Sequence, residues 1–256
     1  MAFLQDYTLG KGKLYFRPFA TGTQTPGPGG FRRFGNVPEI NVSQDEEKLD
    51  HVSSEGGINV KDDSVITSQD TAIAFTTDNI SLDNLALWFR STVSEIVEAG
   101  AVGVVEAFAD IVTGTYYQVG VEAGLPQGVR GVTITAATKG ATALVAGTDY
   151  VLDGATGMVQ FIDGATLSDG DDVSITYTVA AATRKLVLAG ADMIEGELKF
   201  IADNPKGTNK DTYWARVQLS PDGDYGLISD EWATIGFNAE VLQRSDGAAR
   251  SITEVR

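Results

Sequence analysis

A chain of 256 residues is long enough to bury a sizeable core, and 43% hydrophobic residues with 29 glycines fit an ordered β-rich protein rather than a disordered acidic one. Zero cysteines exclude disulfides, thiolate nucleophiles and Cys-ligated zinc. The formal net charge of −16 is uneven, +4 over residues 1–35 and −20 over the rest, so the body of the protein repels nucleic acid phosphates and tight DNA binding is not expected.

The first residues, Met1 to Asp6, show no basic stretch leading into an apolar one, and no segment approaches a membrane span; a soluble cytosolic product is expected. Residues 1–35 join a strand-like run, Lys13 to Phe19, to the Gly, Thr and Pro stretch Thr21 to Gly30, and read as an arm or linker. Its basic residues, Lys11, Lys13, Arg17, Arg32 and Arg33, suit the acidic body of a neighbouring copy; an ordinary solvated N-terminus is the plain alternative.

Gly35 to Ser43 and Asp70 to Asp78 alternate apolar and polar side chains, the pattern of half-buried strands. Ile40, Val42, Ile73 and Phe75 are expected to face a core. Glu39, Asn41, Ser43, Asp70, Ala72, Ala74 and Thr76 then form an opposite face that is small and hydrophilic. The intervening acidic stretch, Gln44 to Gly57, reads as a long loop carrying Asp45, Glu46, Glu47, Lys48, Asp50 and His51, mobile until a partner orders it. Ser81 is placed to cap a short helix with Leu82, Leu85, Ala86 and Phe89 on one oily face, suited to plug the open side of a sandwich or barrel.

From Ala99 to Ala182 come glycine-punctuated strands, Val102–Ala107, Tyr116–Val121, Val129–Ala136, Met158–Ile162 and Val173–Val179, with Gly147–Gly154 among the turns. The C-terminal third returns to long alternating strands, Glu195–Ala202, Thr212–Leu219 and Trp232–Leu242, with Pro221-Asp-Gly223 as a turn. Leu198, Phe200, Tyr213, Val217, Leu219, Ile235, Phe237 and Val241 share the parity of one buried face. The fold class is mainly β: a β-sandwich or barrel with one short packed α-helix. Residues 1–98 and 183–256 form one domain and 99–182 an inserted β module, an enlarged meander within one domain being the other reading.

Catalytic constellations are not found. His51, the only histidine, sits in a polar stretch with no cysteine to activate, and the clusters Asp45-Glu-Glu47, Asp62-Asp63 and Asp169-Gly-Asp-Asp172 lack calcium-loop spacing. The glycine run 27–30 matches neither a phosphate loop nor a dinucleotide fingerprint. No enzyme, cofactor or metal site is expected.

Several segments taken in order resemble the major tail tube proteins of long-tailed, siphovirus-like bacteriophages. They are Gly12-Lys-Leu-Tyr-Phe-Arg-Pro-Phe19, Gly35-Asn-Val-Pro-Glu39, the run Glu47 to Gly57, Asn84-Leu-Ala-Leu-Trp-Phe89, the run Gly196 to Gly207 and the run Asp230 to Leu242. The resemblance implies a structural virion protein, made in the host cytoplasm, whose hexameric rings stack into the hollow tail tube that conducts DNA during ejection. It implies that the small polar face from Glu39 to Thr76 lines the lumen. The Gln44–Gly57 stretch and the basic arm would serve ring stacking, and the 99–182 module would lie outside. The implied partners are further copies of the chain, tape measure and tail terminator proteins, and passing double-stranded DNA without tight binding; no membrane is involved. The alternative is a carbohydrate- or surface-binding β-sandwich adhesin using Tyr116, Tyr117, Tyr150 and Trp214 as stacking platforms.

Overall fold

Leu14 and Phe16 alternate with Lys13, Tyr15 and Arg17 along β1 (Gly12–Pro18), and burial of the first pair makes this run a sheet strand rather than part of an arm. The computed structural model describes residues 7–256, so the first six residues of the expected arm lie outside the described residues. β2 (Arg32–Arg33) pairs back onto Tyr15 and Phe16 and delivers Phe34 to the centre of the core. The Phe34 ring lies 4.8 Å from Phe75, 5.5 Å from Phe237 and 6.1 Å from Phe16, a cluster that ties the N-terminal segment to two strands from later in the chain. Gly35 follows at φ 97°, where a Cβ would collide with Asn79, so only glycine turns the chain there.

The expected acidic loop is instead a β-hairpin. β3 (Glu39–Ser53) and β4 (Val60–Thr77) pair from Glu39↔Thr76 to Ser53↔Val60, with bulges at Glu47/Lys48 and His51/Val52. Strand pairing there needs only backbone hydrogen bonds, and because neither face of the outer part is buried, no apolar alternation marks it. Ile73 and Phe75 reach the core as expected and Ile40 packs on its margin, but Val42 is 56% exposed because β3 is the last strand of its sheet.

Ser81 does cap α1 (Leu82–Trp88), its hydroxyl accepting from the Asn84 N–H at 3.2 Å. The buried side of this helix includes Ala86 as expected but is turned away from Leu82. Asn84 and Ala86 are buried, Leu87 and Trp88 pack on the core, and Leu82 stays exposed. Asn84 decides the orientation: its amide donates to the Phe34 and Asn79 carbonyls, both at 2.8 Å, and accepts from Arg32 Nη1 at 3.0 Å.

β5 (Val93–Glu98) leads into a second compact unit. The chain divides into the described residues through Ser94 with Val187–Arg256, and Glu95–Leu186, so the crossings fall at 94/95 and 186/187 where 98/99 and 182/183 were expected. In the second unit, β6 (Ala101–Ile111), β7 (Tyr116–Gln118), β8 (Val132–Lys139), β9 (Thr142–Ala143), β10 (Tyr150–Asp153), β11 (Met158–Phe161) and β12 (Asp171–Val179) form two sheets, β10-β11-β7 and β6-β12-β8-β9. Val159, Phe161, Ile111 and Ile175 share its core. β10 lies within the expected Gly147–Gly154 turn and buries Tyr150.

β13 (Ala182–Val187) pairs with β5 and returns the chain to the first unit. There β14 (Ile194–Ala202), β15 (Lys210–Asp222), β16 (Ile235–Val241) and β17 (Ser251–Val255) complete an antiparallel sheet ordered β2-β1-β14-β15-β16-β4-β3, with β17 on β15. Two details differ from expectation. A bulge sets Ala215 and Arg216 against Glu197 alone, which reverses the parity of β15: Trp214 enters the core and Tyr213 turns to the polar face. Pro221 is paired with Phe237 within β15 rather than in a turn, a position tolerated because β14 no longer flanks it. Among the described residues no helix is long and apolar enough to cross a membrane.

Candidate functional site

Register sets the residues of the expected polar face side by side. Glu39 lies opposite Thr76, Asn41 opposite Ala74, and Ser43 opposite Ala72, while Asp70 faces Asp45 at the next step outward. Directly opposite residues of an antiparallel pair share a face, so these side chains form one surface opposed to Ile73 and Phe75. Glu39, Asn41, Ser43 and Asp70 are exposed; Ala72, Ala74 and Thr76 are half-buried. The Asn41 amide donates to Glu39 Oε1 at 2.7 Å.

The same face continues across residues that composition and alternation did not single out. β16 sets Asn238 beside Ala74 and Glu240 beside Ala72, and β15 sets Ser220 beside Asn238 and Gln218 beside Glu240. At the positions named, this surface holds carboxylates, amides, hydroxyls and small residues, with Glu39, Asp70 and Glu240 as its charges. Only register across the sheet reveals these additions.

Further along, toward β14, the polar face becomes an ion-pair cluster. Arg216 holds Glu195 with two hydrogen bonds of 3.0 and 2.9 Å, and Arg244 lies 3.2 Å from Glu197, which also accepts from the Tyr213 hydroxyl at 2.9 Å. Burial and then the Glu197 carboxylate push the Tyr213 phenol up to about 12. Arg17, expected as an arm contact, is instead 3.9 Å from Glu197 within the same sheet.

The other expected arm cations separate. Arg32 is bound to Asn84 and lies over the Phe34 ring at 5.1 Å, and burial holds its guanidinium below the ordinary arginine value. Lys11, Lys13 and Arg33 line a groove at the open side of the sheet, together with Arg250. The five therefore do not make one basic contact surface.

The six residues expected to join rings are all exposed and lie along the outer part of β3. Lys48 pairs with Glu46 at 3.3 Å, Asp50 with Lys61 at 2.5 Å and His51 with Asp62 at 2.5 Å, while Glu47 accepts from Ser68 and Asp45 stands opposite Asp70. Hydrogen bonds from Lys61 and then Ser64 hold the Asp50 carboxyl below its usual range. Between these polar pairs, Leu49, Val52, Val65 and Ile66 are exposed apolar side chains, a feature sequence reading missed because it looked for a loop.

Of the four proposed stacking aromatics, Trp214 and Tyr150 are buried and Tyr117 packs on the core of its unit, leaving Tyr116 exposed. Among the described residues no three His, Cys, Asp or Glu side chains converge to hold a metal ion. A family model described as "Protein of unknown function UCP028589" matches residues 7–251. No curated protein matches the chain.

Proposed function

The chain belongs to the family of that description, and for it we propose a structural role: a phage major tail tube subunit, whose hexameric rings stack into a hollow tube that conducts DNA. The observation that carries this reading is the open edge at β3. Fifteen residues long, it ends the large sheet with no neighbour on its outer side among the described residues. A long edge with unused backbone donors and acceptors invites pairing with another chain, and ring closure uses and hides it.

The face behind that edge suits a lumen. Glu39, Asp70 and Glu240 repel phosphates, and Asn41, Ser43, Ala72, Ala74 and Thr76 offer neither cationic anchors nor large obstacles, so DNA slides rather than adheres. The outer hairpin, with its exposed charges and apolar side chains, serves contact between rings. The second unit, with its own core, lies outside the conduit, and tape measure and terminator proteins meet the tube ends.

Negative-stain microscopy of the purified full chain tests the role. Rings or tubes with a central channel are expected; monodisperse monomers at high concentration oppose it. Asn41→Lys is expected to preserve assembly and to make DNA ejection slower and salt-dependent, by adding a cation to the DNA path.

A further inference from the structure

The connection between β15 and β16 and the groove at the far end of β15 carry complementary chemistry. From Asp222 to Thr234 the chain holds Asp222, Asp224, Asp230 and Glu231 and no basic residue. Its apolar side chains stand in solvent: Leu227 is 82%, Ile228 98% and Trp232 95% exposed. Single exposed apolar residues are ordinary on any surface, but three large ones within six positions form a patch of the kind that marks a contact site. The segment has a fixed root, because the Tyr225 ring packs 6.2 Å from that of Trp88.

The groove has a volume of about 1120 Å³ and is lined by residues of β1, β2, β3, β4, β14, β15 and β17. The exposed Val42 and the partly buried Val37, Ile40 and Phe200 give it an apolar lining. Around them stand Lys11, Lys13, Arg33 and Arg250 against Glu39 and Asp203, a net positive site in a chain of net charge −16.

In its own chain the segment does not fill the groove: Leu227, Ile228 and Trp232 all stand in solvent. A second copy can bring them there.

We propose that the Asp224–Trp232 segment of one copy docks into the groove of the next, a head-to-tail contact between copies. Leu227, Ile228 and Trp232 cover the apolar lining, and Asp230 and Glu231 meet the Lys11, Lys13 and Arg33 side. Donor and acceptor lie on different parts of the surface, so the contact is heterologous and propagates into a closed ring or an open filament. It rests on the self-assembly proposed above and names which surfaces meet.

Two full-length variants test it, one without the donor (Ile228→Asp with Trp232→Ala) and one with a blocked groove (Val42→Lys). Both alter exposed side chains, and thermal melts matching the wild type verify that they fold. In sedimentation velocity each variant alone is expected to begin assembling only at concentrations about 100-fold above those of the wild type. Mixed, they are expected to recover pairwise association at wild-type concentrations, since one intact groove meets one intact segment. Assembly of the donor variant at the wild-type concentration, or absence of pairwise association from the mixture, overturns the inference while leaving the tube role standing. A wild-type chain that stays monomeric overturns both.

Discussion

Ile40 and Phe75 face each other across the inner part of the β3–β4 hairpin, and Leu49 and Val65 across the outer part, yet the first pair contacts a core and the second stands in solvent. The backbone ladder is shared; the support is not. The inner part is fixed by Phe34, Phe237 and their neighbours. The outer part is a two-stranded ribbon, marginal by itself in water, with exposed ion pairs that solvent screens. Apolar side chains kept on such a ribbon do little for the monomer; under the proposed role their place is against another copy.

The largest effect that breaks this comparison comes from the inner part. Ile73→Asp is expected to cost roughly 4 kcal/mol or more, because an unpaired carboxylate would enter a fully buried site. Loss of soluble folded protein, or a collapsed urea midpoint, is the expected result. Val65→Asp, on the outer part, is expected to change monomer stability by about 0.5 kcal/mol or less and to weaken assembly instead. Equal destabilisation by the two would erase the distinction.

Truncation sharpens it. Replacing residues 47–68 by Asn-Gly joins the facing pair Glu46 and Gln69 through a two-residue turn. The product is expected to be soluble, with the near-UV spectrum of the parent, and to form no tubes under the microscope; tubes of normal length would remove the stacking role. Replacing residues 100–181 by a short Gly-Ser linker removes a unit that has its own core and leaves the paired β5 and β13 in place. Tubes of smaller outer diameter are expected, whereas insoluble protein would make the second unit part of the first unit's folding.

The smallest expected effect is alkaline. The Tyr213 phenol is raised to about 12 against an unfolded value of about 10, so the folded state keeps a proton that the unfolded state loses. Its contribution to stability is complete below about pH 10 and fades as pH rises toward 12. Tyr213→Phe is expected to lessen the fall in that part of the stability curve, to which the Tyr177 phenol, also raised to about 12, contributes as well, and an undiminished loss between pH 10 and 12 in the variant would assign it elsewhere.

Where one face of a strand is buried, alternation exposed the strand in the sequence, as in β1, the inner part of β4 and β14 to β16. The Ser81 cap was legible for a local reason, a side-chain oxygen within reach of its own helix. Elsewhere the governing contacts are nonlocal. The outer hairpin and β17 are exposed on both faces, so no periodicity distinguishes them from loop. The bulge at Ala215 and Arg216 is set by pairing with β14, and it exchanged Trp214 for Tyr213 in the core. Asn84 looks like a surface residue until the Phe34 carbonyl is brought beside it. The polar face was legible on β3 and β4 by parity alone, but its extension to Asn238, Glu240, Ser220 and Gln218 required the register between distant strands.

The central claim is that β3 is an edge completed by another copy. Amide hydrogen exchange on the unmodified chain, compared between dilute monomer and assembled particles, tests it most directly. The account predicts that the alternate amides of Glu39–Ser53 that point away from β4 gain the greatest protection on assembly, while those of β12, already paired on both sides, change little. Unchanged exchange along β3 in assembled particles would contradict it.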